Sequence, residues 1–120
     1  LPIQYALTYP KRFDTGLKAL DFASLGSLTF ERPNMELFPS LALCYSVSRM
    51  GGTAPAVLNA ADEVAVEAFL KGRIGFTAIY GIVEKKVRAH KVQASPALDD
   101  IRQADLWART KATGLIERNK

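Results

Sequence analysis

The twenty residues TAPAVLNAADEVAVEAFLKG, 53 to 72, constrain the fold of this chain more than any other stretch. They start like a buried helix, place Asn59, Asp62 and Glu63 within five residues of each other, and turn apolar again before Gly72. On a wheel of about 100° per residue, Asn59, Glu63, Glu67 and Lys71 fall at successive i, i+4 positions and make a polar stripe. Glu67 followed by Lys71 is also the favoured orientation of a helix ion pair, about 0.2–0.5 kcal/mol. Asp62 does not fit, because the same wheel puts it between Phe69 and Val66, beside Leu58. A break at Leu58 accounts for it: Asn59 becomes an N-cap, and Asp62 and Glu63 fall in a first turn, where carboxylates are favoured. Thr53 and Pro55 would then open a short preceding helical turn. This helix-boundary reading is adopted. The alternatives are a polar stripe on an unbroken helix and a catalytic or metal cluster; a metal cluster would need ligands converging from elsewhere, and no HExxH or EF-hand pattern is present.

The segments on either side set the architecture. From Glu36 the pattern is helical: Pro39 lies near a helix start, Leu41, Leu43, Cys44 and Val47 follow at mixed three- and four-residue steps, and Gly51 and Gly52 stop it. After the helix ending at Lys71, with Gly72 at C′, a third runs over about residues 77–91, with Thr77 as N-cap and Ile79, Ile82, Val83 and Val87 on one stripe. Ser95 and Pro96 read as N-cap and N1 of a fourth, in which Ile101, Ala104, Ala108, Ala112 and Leu115 share a face. The first 35 residues differ: three prolines, two glycines and short apolar clusters without a sustained period. Pro2 opens a short helix ending before Pro10, and SLTFE at 27–31 alternates like one short strand. The expected fold is mainly α: an extended arm over residues 1–35 with at most one short strand, then a four-helix bundle over residues 36–120.

Composition narrows the function classes. At 120 residues, 48% hydrophobic and 23% charged, the chain suits one globular domain, and no run approaches the roughly 20 apolar residues that cross a bilayer. The single cysteine, Cys44, excludes an internal disulfide; it reads as a core residue of a protein from a reducing compartment, hence a cytoplasmic location. The chain begins at Leu1 without a methionine or visible signal peptide, as a fragment would. The net charge of +4 suggests acidic partners, and EKKVRAHK at 84–91 is the densest basic run. It lies in the last turns of a predicted helix, where cations complement the macrodipole. No nucleic-acid motif accompanies it, and the lone His90 reads as a dipole partner rather than a ligand.

The run GGTAPAVLNAADEVAVEAFLKGRIGFTAI, 51 to 79, closely resembles the C-terminal region of the 1-deoxy-D-xylulose 5-phosphate reductoisomerase family, where a GGTAPAVLNAANE-like sequence precedes a GRI-F-T segment. Upstream, LPIQYALTYPKR looks like that family's linking segment, TGLKALDF is similar to an SGVKPLDF-like stretch, and LTFERPNMELFPSL resembles an LTFEKPD-FP-L pattern. The match covers residues 1–92. The departures are Asp62 for a usual Asn, Ala19 for a usual Pro and Ser40 for a common Cys, none of them at a catalytic position. The resemblance implies a parent enzyme that rearranges its substrate and reduces the product with NADPH, using a divalent metal (Mg or Mn), to give 2-C-methyl-D-erythritol 4-phosphate for isoprenoid synthesis. It also implies that the catalytic, cofactor-binding and metal-binding residues precede Leu1. No residue of those kinds is carried over here; the residues singled out are the structural N-caps Asn59, Thr77 and Ser95. The implied partners are the upstream NADPH-binding and catalytic domains of the same polypeptide, in a homodimer, with neither nucleic acid nor membrane. The competing expectation is a stand-alone helical module whose basic helix binds an acidic partner.

Overall fold

The computed structural model describes residues 2–14, 16–18 and 20–118, so that Leu1 and the Ala19 departure lie outside the described residues. The chain divides into two compact units, Leu1–Arg32 and Pro33–Lys120. It is mainly α, with helices and no strand among the described residues.

The first unit contains α1 (Pro2–Thr8) and the single turn α2 (Phe22–Leu25). Pro2 opens α1 and Pro10 lies just past its end, as the helix rules require. Local polar contacts shape the rest. Thr8 Oγ1 donates to the carbonyl of Gln4 at 3.0 Å, and Asp21 Oδ1 accepts the Ala23 N–H at 3.0 Å to cap α2. The Arg12 guanidinium lies 4.4 Å from the centre of the Tyr5 ring. None of the described residues in this unit is buried, and residues 27–31, expected as a strand, enter no ladder. The alternation of SLTFE can specify a strand only where a partner strand is available.

The second unit is a four-helix arrangement of α3 (Pro39–Met50), α4 (Ala54–Leu70), α5 (Phe76–Ala89) and α6 (Leu98–Arg118). Its centre is α4, which packs on α6, α5 and α3. Helix α4 is unbroken through Leu58 and Asn59, so Asn59 is not a cap: it sits in the second turn, and the N-cap position belongs to Thr53. The reason lies in the apolar face. Ala54, Val57, Ala60, Ala61, Ala65 and Ala68 are all buried, and a break at Leu58 would rotate the second half of that face out of register with α5 and α6. The polar stripe predicted as the alternative is present, down to the ion pair of Lys71 with Glu67. Beyond it the chain closes the helix in a Schellman motif: Gly72 N–H donates to the Phe69 carbonyl and Arg73 N–H to that of Ala68, both at 2.8 Å. Gly72 supplies the left-handed residue, at φ 66°.

Two further expected caps are displaced. Helix α5 starts one residue before Thr77, with Gly75 at the cap position and no side-chain cap. Starting there places the Phe76 ring 5.6 Å from that of Phe69, edge to face. Helix α6 starts after Ser95, which is exposed in the preceding connection. Ala97 occupies the cap position, its carbonyl accepting from Ile101 N–H at 3.2 Å. Ala97 has no capping oxygen, so Asp100, three residues on, reaches back to accept the Ala97 N–H at 2.8 Å, the carboxylate half of a capping box.

The core consists mostly of alanine, with Val47, Val57, Ile82, Val83, Val87 and Ile116. Facing alanines on α4 and α6 let the backbones approach closely, which leaves no space for a longer side chain. Cys44, expected inside, is exposed. Val47 is the residue that α3 buries, and Cys44, three residues earlier, falls on the flank of that contact.

Candidate functional site

Asn59 belongs to a polar seam between α4 and α6. Its Nδ2 donates to Glu63 Oε1 at 2.9 Å, and Glu63 Oε2 accepts from Arg109 Nη2 at 2.6 Å. Arg109 also grips Asp105, one turn earlier on α6, through Nε to Oδ2 at 2.8 Å and Nη2 to Oδ1 at 3.2 Å. The Arg109 hydrogen bond, the Asn59 amide and the Arg109 charge hold the Glu63 carboxyl below its ordinary pKa. Hydrogen bonds to Asp105 and Glu63 raise that of Arg109. The seam is half-open to water, with side-chain exposures of 38% for Arg109 and 54% for Glu63, so it fixes how two helices meet more than it stabilises them. Chemically it is closed. Both carboxylates are bonded to the one guanidinium, and among the described residues no group of three His, Cys, Asp or Glu side chains converges as a metal site would require.

A second cluster joins the start of α4 to the connection between α5 and α6. Thr53 Oγ1 lies 2.7 Å from His90 Nε2 and accepts the Gln93 N–H at 3.1 Å. The Thr53 N–H donates in turn to the Gln93 carbonyl at 3.1 Å. The His90 ring lies against Trp107 of α6, centres 5.2 Å apart and planes tilted by 45°. Burial lowers the His90 pKa. The close approach of residue 93 depends on Gly52, whose φ is 55° and where a Cβ would stand 2.1 Å from the Gln93 oxygen. The GGT run is thus explained as a unit: two glycines in the left-handed region turn the chain, the second admits the neighbouring strand of backbone, and the threonine fastens it.

The third feature is an apolar groove of about 570 Å³ lined by residues of α3, α4, α5 and the turn before α3, among them Phe38, Leu43, Leu58, Phe76, Ile79 and Val83. Cys44, Asp62 and Thr77 lie on its walls. Asp62, which suggested a helix boundary, is an exposed residue beside this groove. The three residues proposed as caps therefore do not meet: Asn59 is in the seam, Thr77 on the groove and Ser95 exposed in the α5–α6 connection. Sequence reasoning missed Arg109 and Asp105, although their i, i+4 spacing was visible, and the pairing of Thr53 with His90 and Gln93, for which only the isolated histidine gave a signal.

The seam and the clasp that Thr53 makes with His90 and Gln93 explain the residue pattern but not its origin, which comparison supplies. A family model described as DXP reductoisomerase C-terminal domain matches residues 1–111. The chain belongs to that family. Its relatives include the 1-deoxy-D-xylulose 5-phosphate reductoisomerases of Heliobacterium modesticaldum, 57% identical over 94% of this chain and 29% of the relative, and of Chlorobium limicola, 52% identical over 96% and 30%. The chain thus spans about 30% of the length of the curated relatives it matches. Among solved structures, the reductoisomerase of Zymomonas mobilis in complex with NADPH superposes with a TM-score of 0.84 at 42% identity, covering 97% of this chain and 31% of that one. A DOX-P reductoisomerase in complex with magnesium gives 0.83 at 36%, covering 99% and 32%. In this reductoisomerase C-terminal domain, no helix of the described residues is long and apolar enough to cross a membrane.

Proposed function

We propose that the chain is a non-catalytic C-terminal portion of a reductoisomerase that rearranges 1-deoxy-D-xylulose 5-phosphate and reduces the product with NADPH, with a divalent metal, to 2-C-methyl-D-erythritol 4-phosphate. One observation carries this reading: the similarity extends over nearly all of this chain but less than a third of its relatives. The chemistry of the residues present supports it. They do not fit a divalent metal, because among the described residues no three His, Cys, Asp or Glu side chains converge, and Glu63 and Asp105 are both turned to Arg109. They do not fit a dinucleotide, because the glycine turn at Gly51 and Gly52 is filled by the Gln93 backbone. No step through either group is therefore derived from this chain.

The role left to the chain is structural. Residues 1–35 serve as the linking arm and residues 36–120 as a rigid helical domain, working with upstream NADPH-binding and catalytic domains of the same polypeptide in a cytoplasmic homodimer. The test compares two proteins. The longer polypeptide containing this chain should oxidise NADPH only when 1-deoxy-D-xylulose 5-phosphate and Mg²⁺ or Mn²⁺ are added, and the purified 120-residue chain should not. Substrate-dependent turnover by the short chain would overturn the division of labour, and an inactive long polypeptide would overturn the assignment of activity.

A further inference from the structure

Thr53 is the only polar residue buried among the described residues, at 2% exposure, and it spends its hydroxyl on two partners. The oxygen accepts the Gln93 N–H, and in the neutral tautomer whose Nε2 carries no proton the one Thr53 proton goes to His90 Nε2. Residue 93 is held from both sides, since its carbonyl accepts the Thr53 N–H. The other groups facing the same 410 Å³ recess are Lys91, Asp100, Gln103 and Trp107. Asp100 Oδ2 is occupied by the Ala97 N–H at 2.8 Å and Gln93 Nε2 at 2.9 Å.

A proton on Nε2 conflicts with this arrangement. The imidazolium would aim a donor at the second lone pair of the buried Thr53 oxygen and take away the nitrogen that accepted its proton, so the hydrogen bond that the neutral ring accepts is lost. Burial keeps the His90 pKa below the ordinary imidazole range.

We propose that Thr53, His90 and Gln93 form a proton-operated latch, which holds the connection of residues 90–97 on the start of α4 while the imidazole is neutral and releases it, with the α4–α6 core intact, when His90 is protonated. The inference concerns this chain alone and does not rest on the proposed activity. The sign follows from linkage. A histidine whose pKa is lower in the closed form stabilises that form fully above the ordinary imidazole range, and the stabilisation is lost as pH falls through the lowered value. Between those two points the opening equilibrium rises by up to about tenfold per pH unit.

His90 is the only histidine of the chain, so its ring titration is unambiguous by NMR. The decisive experiment measures amide exchange from pH 8 to 5, corrected for intrinsic rates, at Gln93 and Thr53, with Ala61, Ala65 and Ala108 as core references. Protection at Gln93 and Thr53 should fall as the His90 ring titrates while the three references hold. His90→Gln, which keeps an acceptor for the Thr53 proton but does not titrate, should make the Gln93 protection independent of pH, and Thr53→Ser should retain the dependence. Constant protection at Gln93 in the wild-type chain, loss in step with the references, or a ring that titrates at or above the ordinary range would each overturn the latch, without recourse to the variants.

Discussion

The two units of this chain use similar proportions of apolar sequence to opposite effect. Residues 20–32 alone include Leu20, Phe22, Leu25, Leu28 and Phe30, all exposed, Phe30 to 87%. In residues 33–118 the core is built largely from alanine, and Ala61, Ala65, Ala108 and Ala112 are completely buried. The lesson concerns periodicity rather than hydrophobicity. Alanines recurring at helical spacing on α4 and α6 give each helix one face and let the faces meet, whereas larger side chains without a period cannot be turned to one side together. An apolar segment with no face of its own must be covered by something else, which accords with a piece of a longer polypeptide.

Overpacking should produce the widest split between the units. Ala108→Leu inserts three carbons where nothing is exposed, and should cost about 3 kcal/mol, the upper part of the usual 1–3. Ala23→Leu, on the exposed turn α2, should stay within about 0.5 kcal/mol. Denaturant midpoints measure both, and equal losses would abolish the distinction between a packed and an unpacked unit.

A smaller split is expected at two glycines with similar φ. Gly52 (φ 55°) has the Gln93 oxygen 2.1 Å from a would-be Cβ, whereas Gly26 (φ 73°) has nothing within 4 Å. Gly26→Ala should carry only the left-handed penalty of about 1–2 kcal/mol, confined to its own unit. Gly52→Ala adds a backbone clash, and should lower the unfolding midpoint by about 2 kcal/mol or more and free the Gln93 amide to exchange. A Gly52→Ala protein that kept Gln93 protected would show that the approach is not what makes that glycine necessary.

The seam sharpens the comparison from within the second unit, since it joins the same two helices as the alanines but from the water side. Its effect should be small and salt-sensitive. Coupling between Glu63 and Arg109 in a double-mutant cycle should largely vanish at 1 M salt. It should also fade with acid: a carboxyl whose folded pKa is depressed contributes stability above the ordinary glutamate range and loses it as pH falls through the lowered value. A coupling that persisted at pH 3 in high salt would mean that the seam is packed rather than electrostatic.

Much of this was legible in residue order, and the errors share a cause. Helices α3 to α6 follow from their apolar stripes, and the stop at Gly72 from lysine followed by glycine. The caps were misplaced because a cap is chosen locally in sequence but decided by packing. Ser95 and Pro96 make a strong N-terminal signal, yet Asp100 holds the Ala97 N–H and sets the start two residues later. Thr77 is a good capping residue, but Phe76 is needed in the helix to meet Phe69. The clasp was invisible because Thr53 and Gln93 are 40 residues apart, and no local rule brings a buried threonine to a distant backbone.

Asn59 gives the smallest effect and the one whose sign decides most. Were it an N-cap, Asn59→Ala would remove a capping oxygen and cost about 1 kcal/mol. In the interior of α4 the same change replaces a poor helix former with the best one, a gain of up to about 0.7 kcal/mol. Losing the amide bond to Glu63, made on an exposed face, takes back part of it. The variant should therefore be as stable as the wild type or slightly more so. Asn59→Asp separates the two positions again: an aspartate caps well, but mid-helix it sets a carboxylate one turn before Glu63, a repulsive i, i+4 pair. The expected order of melting temperatures is Asn59→Ala at or above wild type and Asn59→Asp below it. The reverse order would restore the boundary at Leu58 and with it a break in the helix on which the whole second unit is assembled.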